Sequence, residues 1–81
     1  MTDLLEQDNA TPVGEGSWFV RHRQAWIAEM LLIYGFINRE HLMRKFGLST
    51  PQASADLQQF MRERPGAMAY NSRAKRYEAV R

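Results

Sequence analysis

Apolar positions along the chain change their spacing twice. From residue 17 to residue 34, Phe19, Trp26, Ile27, Met30, Ile33 and Tyr34 recur at three- and four-residue steps, with Arg23 on the same stripe. That is the period of an amphipathic helix. Ser17 suits an N-cap and Gly35 suits the position just past a helix end, so the spacing predicts a first helix starting near Ser17. Trp18, Val20 and Leu32 add apolar surface outside the stripe. Two readings of that surplus stand: a well-buried central helix, or a flank that packs against a partner or another domain.

Phe36-Ile37 reads as a short extended piece. Asn38 then caps a second helix over residues 39–46, with Glu40 in the first turn, where the helix dipole favours negative charge. Leu42, Met43 and Phe46 form its apolar stripe, Gly47 ends it, and Leu48 packs into the corner. A third helix begins at Ser49 or Thr50. Pro51 falls in its first turn, where a missing N–H costs nothing. It runs to about Arg64, and Pro65-Gly66 stops it. Residues 68–71 and 76–80 then read as two strands around a polar, basic turn, with Tyr70 and Tyr77 as inward anchors. The fold class is mainly α with a small β-hairpin: a winged helix-turn-helix of three helices plus wing. One spacing departs from the commonest repressor pattern. Counted from Gly47, the last core position of the motif falls on Asp56, a charged residue, so Leu57 is expected to take that role.

Length confines these elements to one small domain: 81 residues allow a modest core. Residues 1–16, polar and without Lys or Arg, read as a flexible acidic arm, with Gly14 and Gly16 near its end, leaving 17–81 as the domain. The net charge of +2 conceals an asymmetry. Asp3, Glu6, Asp8 and Glu15 give the arm −4, and all eleven basic residues with the other five acidic ones give the remainder +6. A compact domain of that charge suits a polyanion.

The third helix is lean where a helix under packing pressure alone would carry larger side chains. At about 100° per residue, Ala53, Leu57 and Phe60 share the buried side, while Pro51, Ala55, Gln58 and Arg62 lie opposite and Gln52 and Ser54 flank. In a helix-turn-helix the second helix of the motif enters the major groove and its N-terminal residues reach base edges. Thr50, Gln52, Ser54, Ala55 and Gln58 are therefore the candidate base-reading positions. Gln can pair bidentately with adenine, and small side chains let the backbone approach the groove floor. Candidate contacts to the DNA backbone are Ser49 at the helix start, Arg39, Arg44 and Lys45 on the second helix, and Ser72, Arg73, Lys75 and Arg76 on the wing. The competing reading of each set is an ordinary solvated face. Asp56 would repel phosphates and is expected to serve structure, through a hydrogen bond or ion pair beside the core.

Here the sequence resembles a known family. "INREHLMRKFGLSTPQASADLQQF" followed by "AYNSRAKRYEA" is similar to the N-terminal winged-helix domain of WYL-type bacterial transcriptional regulators, above all repressors beside phage-defence gene clusters. The matching residues are Ile37-Asn38-Arg39, Phe46-Gly47-Leu48-Ser49, Ala53-Ser54-Ala55-Asp56-Leu57, and Tyr70 with Lys75-Arg76-Tyr77. The resemblance covers about residues 18–80. It implies sequence-specific binding of double-stranded DNA by a bacterial transcriptional regulator of the repressor kind, as a homodimer formed directly or through a C-terminal region, and leaves open whether transcription goes down or up. Such regulators continue into a ligand-sensing domain and a dimerisation domain, so ligand sensing is not carried over, and no small-molecule ligand is implied by this chain.

Other chemistry finds no support. The absence of cysteine removes disulfides, thiolate metal sites and thiol catalysis. His22 and His41 sit on different helices without metal-like spacing, and no nucleophile motif or phosphate-cradling glycine loop occurs. The expectation is no enzyme, no cofactor, no metal and no membrane partner, with a cytoplasmic, nucleoid-associated location. The rival function is a protein–protein interaction module or antagonist using the apolar first helix.

Overall fold

The computed structural model describes the backbone of residues 13–80 and the side chains of residues 17–80. Three helices and three short strands follow in order: α1 (Val13–Tyr34), β1 (Phe36–Ile37), α2 (Arg39–Phe46), α3 (Thr50–Glu63), β2 (Met68–Asn71) and β3 (Arg76–Ala79). The expected starting point of α1 needs correction. The helix starts at Val13, so residues 13–16 lie in α1 and Ser17 is internal to it rather than its cap. Gly14 and Gly16 each cost a helix only about 1 kcal/mol relative to Ala, which a 22-residue helix tolerates. The remaining part of the acidic arm, residues 1–12, lies outside the described residues.

Local chemistry sets the other boundaries. Asn38 and His41 form a reciprocal cap on α2: the Asn38 side chain accepts the His41 N–H, and the His41 ring accepts the Asn38 N–H. That gives His41 a structural job. Gly47 ends α2 in the left-handed conformation, φ 67°, and its N–H returns to the Met43 carbonyl. A Cβ on Gly47 would meet nothing within 4 Å. The turn therefore needs glycine for its backbone angle and not for space. Ser49 caps α3 by accepting the Gln52 N–H at 3.3 Å, with Pro51 in the first turn.

The strands form one antiparallel sheet in the order β1-β3-β2. Phe36 faces Glu78 and Ile37 faces Tyr77 across β1 and β3; Tyr70 faces Tyr77 and Asn71 faces Arg76 across the hairpin. The extended piece at Phe36-Ile37 is thus the third strand, and it ties the wing to the helical body. One core joins all layers: Ile27 and Leu31 of α1, Ile37, Leu42, Ala53, Leu57 and Phe60, and Met68 of the hairpin. Full burial of a residue such as Leu57 or Phe60 contributes about 1.5–3 kcal/mol. Tyr70 departs from expectation. Tyr77 is half-buried, but Tyr70 is 51% exposed and rests edge-on against the Tyr77 ring, 4.8 Å between centroids. Directly paired residues share one sheet face, and beyond Tyr77 there is no second layer among the described residues to cover Tyr70.

α1 settles its two readings in a divided way. Gln24, Ile27 and Leu31 are buried, whereas Trp18, Phe19, Leu32, Ile33 and Tyr34 are exposed. The expected stripe is corrected: only Ile27 of it is fully buried, with Trp26 and Met30 half-buried, while Phe19, Ile33 and Tyr34 at its two ends are exposed and Leu31, outside it, is core.

Candidate nucleic-acid interface

The lean helix divides as its sequence suggests, with one addition. Ala53, Leu57 and Phe60 are buried, and so is Asp56 at 1% exposure. The expectation that Leu57 replaces Asp56 at the last core position is corrected: both residues are inside. Arg23 of α1 makes this possible. Its Nε donates to Asp56 Oδ2 at 2.5 Å and its Nη2 to Oδ1 at 3.2 Å. Gln24 Nε2 donates to the Asp56 backbone carbonyl at 2.8 Å. A buried carboxylate needs such a paired, multiply hydrogen-bonded setting. Asp56 therefore has the structural role expected of it, and its charge is turned away from the outer face of α3. Sequence reasoning does not single out the partner. Its signal is the position of Arg23 on the apolar stripe of α1, where an inward-facing cation requires an anion.

The outer side of α3 holds Thr50, Pro51, Gln52, Ala55, Gln58 and Arg62, all exposed, with Ser54 half-buried at the margin. Small side chains at 51, 54 and 55 leave the backbone of the first two turns open to a surface pressed against it. Three of the candidate base-reading side chains already have partners. Thr50 Oγ1 sits 3.7 Å from Met43 Sδ, Gln52 Nε2 donates to Asp56 Oδ1 at 2.9 Å, and Ser54 Oγ accepts from Arg39 Nη1 at 3.3 Å. These bonds order the side chains along α3 and leave further donor and acceptor capacity on each.

The basic candidates separate into groups. Arg39, at the start of α2, reaches across to Ser54 and lines a cleft with Asn38, Glu40, Tyr70, Lys75 and Tyr77. Helix α2, helix α3 and the wing thus meet at one surface, with Arg39 and Lys75 on it and the exposed Tyr70 as a wall. Ser72, Arg73 and Lys75 are exposed on the wing turn. The turn is held by Asn71, whose Oδ1 accepts the N–H groups of Arg73 and Ala74 at 3.0 Å each, while its carbonyl accepts the Lys75 N–H at 2.7 Å. Lys75 adopts φ 59°, the one positive φ among the described non-glycine residues. Ser49 is exposed, but its hydroxyl is used by the α3 cap.

Three basic candidates are placed elsewhere. Arg76 donates to Glu78 Oε2 at 2.7 Å and lays its guanidinium over the Phe36 ring, 4.2 Å from the centroid. In this structure its charge is paired within the sheet, with the side chain still partly exposed. The same Arg76 hydrogen bond, helped by one from Asn71, holds the Glu78 carboxyl below its ordinary range. Arg44 lines a separate aromatic groove with Trp26, Met30, Tyr34, Phe36 and His41, about a third of a turn around α2 from Arg39. Its 3.9 Å approach to Glu40, exposed on both sides, is worth little. Lys45 is exposed, about a third of a turn from Arg39 on the opposite side from Arg44.

Comparison with known proteins adds two findings. The family model for the winged helix-turn-helix domain of BrxR transcriptional regulators matches residues 20–81. The DNA-binding transcriptional repressor CapW of Pseudomonas aeruginosa is 32% identical over 84 residues, a match covering 99% of this chain and 28% of CapW. The chain therefore spans about 28% of the length of that curated relative.

Proposed function

The chain belongs to the winged helix-turn-helix domain family of BrxR transcriptional regulators, and on that premise we propose that it binds double-stranded DNA with sequence preference and represses transcription by occluding a promoter. α3 enters the major groove from its N-terminal end. Thr50, Gln52, Ser54, Ala55 and Gln58 face base edges, and Arg39, Arg73 and Lys75 grip the phosphates on either side, with Ser49 and Ser72 near the backbone. The observation that carries this reading is the shared surface at Arg39. That residue touches the lean face of α3 through Ser54 and lies in one cleft with Lys75 of the wing. A protein-docking surface would not need cations of α2 and the wing gathered in one cleft beside a helix face of small side chains. The CapW likeness supports the repressor direction, since that relative is a DNA-binding transcriptional repressor.

We further propose that two copies act together on an inverted repeat, directly or through a C-terminal region, and that the site of action is the nucleoid in the cytoplasm. The exposed apolar flanks of α1 give a second copy somewhere to pack, and two half-sites held together multiply weak single-site affinities. No helix among the described residues is long and apolar enough to cross a membrane.

The test is fluorescence anisotropy on duplexes recovered from a randomised pool, repeated over a salt series. Replacing Arg39, Arg73 and Lys75 by Ala should flatten the slope of log affinity against log salt by about 0.9 for each phosphate no longer neutralised. Absence of any duplex binding at low salt, together with a stable complex with another protein, defeats the proposal.

A further inference from the structure

Gln52 is the exposed residue of α3 that is wired to the interior. Its Nε2 donates to Asp56 Oδ1 at 2.9 Å, one turn further along the helix. The same oxygen accepts from Arg23 Nη2, and the other carboxylate oxygen accepts from Arg23 Nε. The Arg23 and Asp56 side chains are only 13% and 2% exposed. The carboxylate is thus fixed from behind before anything meets the front of α3.

A carboxylate without a proton can only accept hydrogen bonds. It therefore dictates which end of the Gln52 amide faces it: the nitrogen must turn inward and the oxygen outward. Without that neighbour, a glutamine amide can present either end to a base. With it, Gln52 offers one acceptor, Oε1, and the second hydrogen of Nε2. Adenine presents a donor at N6 and an acceptor at N7 in the major groove, which matches that pair. Guanine presents acceptors at both O6 and N7, so Oε1 would face a like atom.

We propose that Arg23 and Asp56 are positioning residues that fix the Gln52 amide in one orientation, so that this position selects adenine over guanine. The inference rests on the reading of α3 as the helix in the major groove. Arg23 and Asp56 touch no base themselves; they act through Gln52.

The experiment is binding-site selection from a randomised duplex pool with the full 81-residue chain, scored base by base. Four proteins are compared: the unmodified chain, Gln52→Ala, Asp56→Asn, and the pair Arg23→Met with Asp56→Leu, which replaces both buried charges together. The unmodified chain should prefer adenine to guanine at one position by about 5- to 150-fold, the range of one bidentate pair. Gln52→Ala should erase that preference. The paired variant should keep overall binding and its salt slope while the ratio at that single position falls toward the Gln52→Ala value; Asp56→Asn leaves the Arg23 cation unpaired, so it lowers stability as well and is scored by that ratio alone. A structural role alone would change affinity evenly at every position. If Gln52→Ala erases the preference and the Asp56 variants keep it, the positioning role is wrong and base reading by Gln52 stands. If Gln52→Ala changes no position, both are wrong. Should the Asp56 variants fail to fold, side-chain amide NMR of the unmodified protein decides. The Gln52 Nε2 protons should be resolved and protected relative to those of exposed Gln58, and equal protection overturns the proposal.

Discussion

Lys75→Gly separates folding from binding by moving them in opposite directions. Lys75 holds φ 59° at the end of the wing turn. For a residue with a Cβ, the left-handed conformation costs about 1–2 kcal/mol, which glycine avoids. Glycine in turn gives the unfolded chain more freedom, which costs about 0.4–1 kcal/mol of stability. The difference is a net gain between about 0 and 1.6 kcal/mol, and a domain of this size shifts its Tm by about 4–8 °C per kcal/mol. The turn itself survives, because the bond from the Lys75 N–H to the Asn71 carbonyl is made by the backbone. Binding should weaken, since Lys75 stands exposed on the cleft it shares with Arg39. Releasing one phosphate lowers the salt slope by about 0.9. Thermal melting by circular dichroism gives the first quantity, and anisotropy at several salt concentrations gives the second. Because the signs oppose, weaker binding cannot be blamed on a less folded protein. A lowered Tm would refute the strain argument, and an unchanged slope would remove Lys75 from the DNA surface.

Two further predictions test the interior and the sheet. Arg23→Met alone leaves Asp56 buried without its cation and should cost about 3–5 kcal/mol, whereas adding Asp56→Leu should recover most of that. Urea titration of both variants checks it, and equal destabilisation in the two would mean the pair does not act as a unit. Glu78 gains its partners Arg76 and Asn71 on folding, which depresses its carboxyl. Its contribution is therefore complete above the ordinary glutamate value of about 4.3 and fades as pH falls through the lower folded value. Glu78→Gln should flatten the pH dependence of Tm in that acid range and leave it unaltered near neutrality; an unchanged acid profile would show that the Arg76 hydrogen bond contributes nothing.

The fold is largely legible in the sequence because its boundaries rest on local chemistry. Asn38, Gly47, Ser49 and Pro51 each act within one turn of themselves, and each works in the structure as its residue type suggests. The start of α1 is not legible, since two glycines lower helix stability without forbidding it. The candidate site is legible as a set of exposed positions on α3 and the wing, but not as a set of partnerships. Arg76 and Lys75 are neighbours in a basic turn and look equivalent in the sequence. Strand pairing sends Arg76 onto Glu78 and Phe36, while the left-handed backbone of Lys75 leaves its side chain on the open cleft. Tyr70 defies its pattern for a similar reason: period-two alternation names a face but does not say whether anything covers it.

Asp56 shows why a carboxylate can sit in the helix proposed to meet DNA. Facing outward it would oppose the phosphates; facing inward it needs a cation, and Arg23 lies 33 positions away on another helix. Such a pair is a poor route to stability, because well-packed hydrophobic residues of similar volume often hold a core as well or better. A leucine at position 56 would fill the space beside Leu57 and Phe60, yet it would leave the Gln52 amide free to turn over. What the charge supplies and a hydrocarbon cannot is a fixed acceptor beneath the surface, held against the Gln52 amide. The lean face of α3 is thus polar in a determined sense: its small residues admit a close approach, and its glutamine is oriented from within. The ionic interior and the hydrogen-bonding exterior of one short helix are parts of the same arrangement, joined at Asp56 Oδ1.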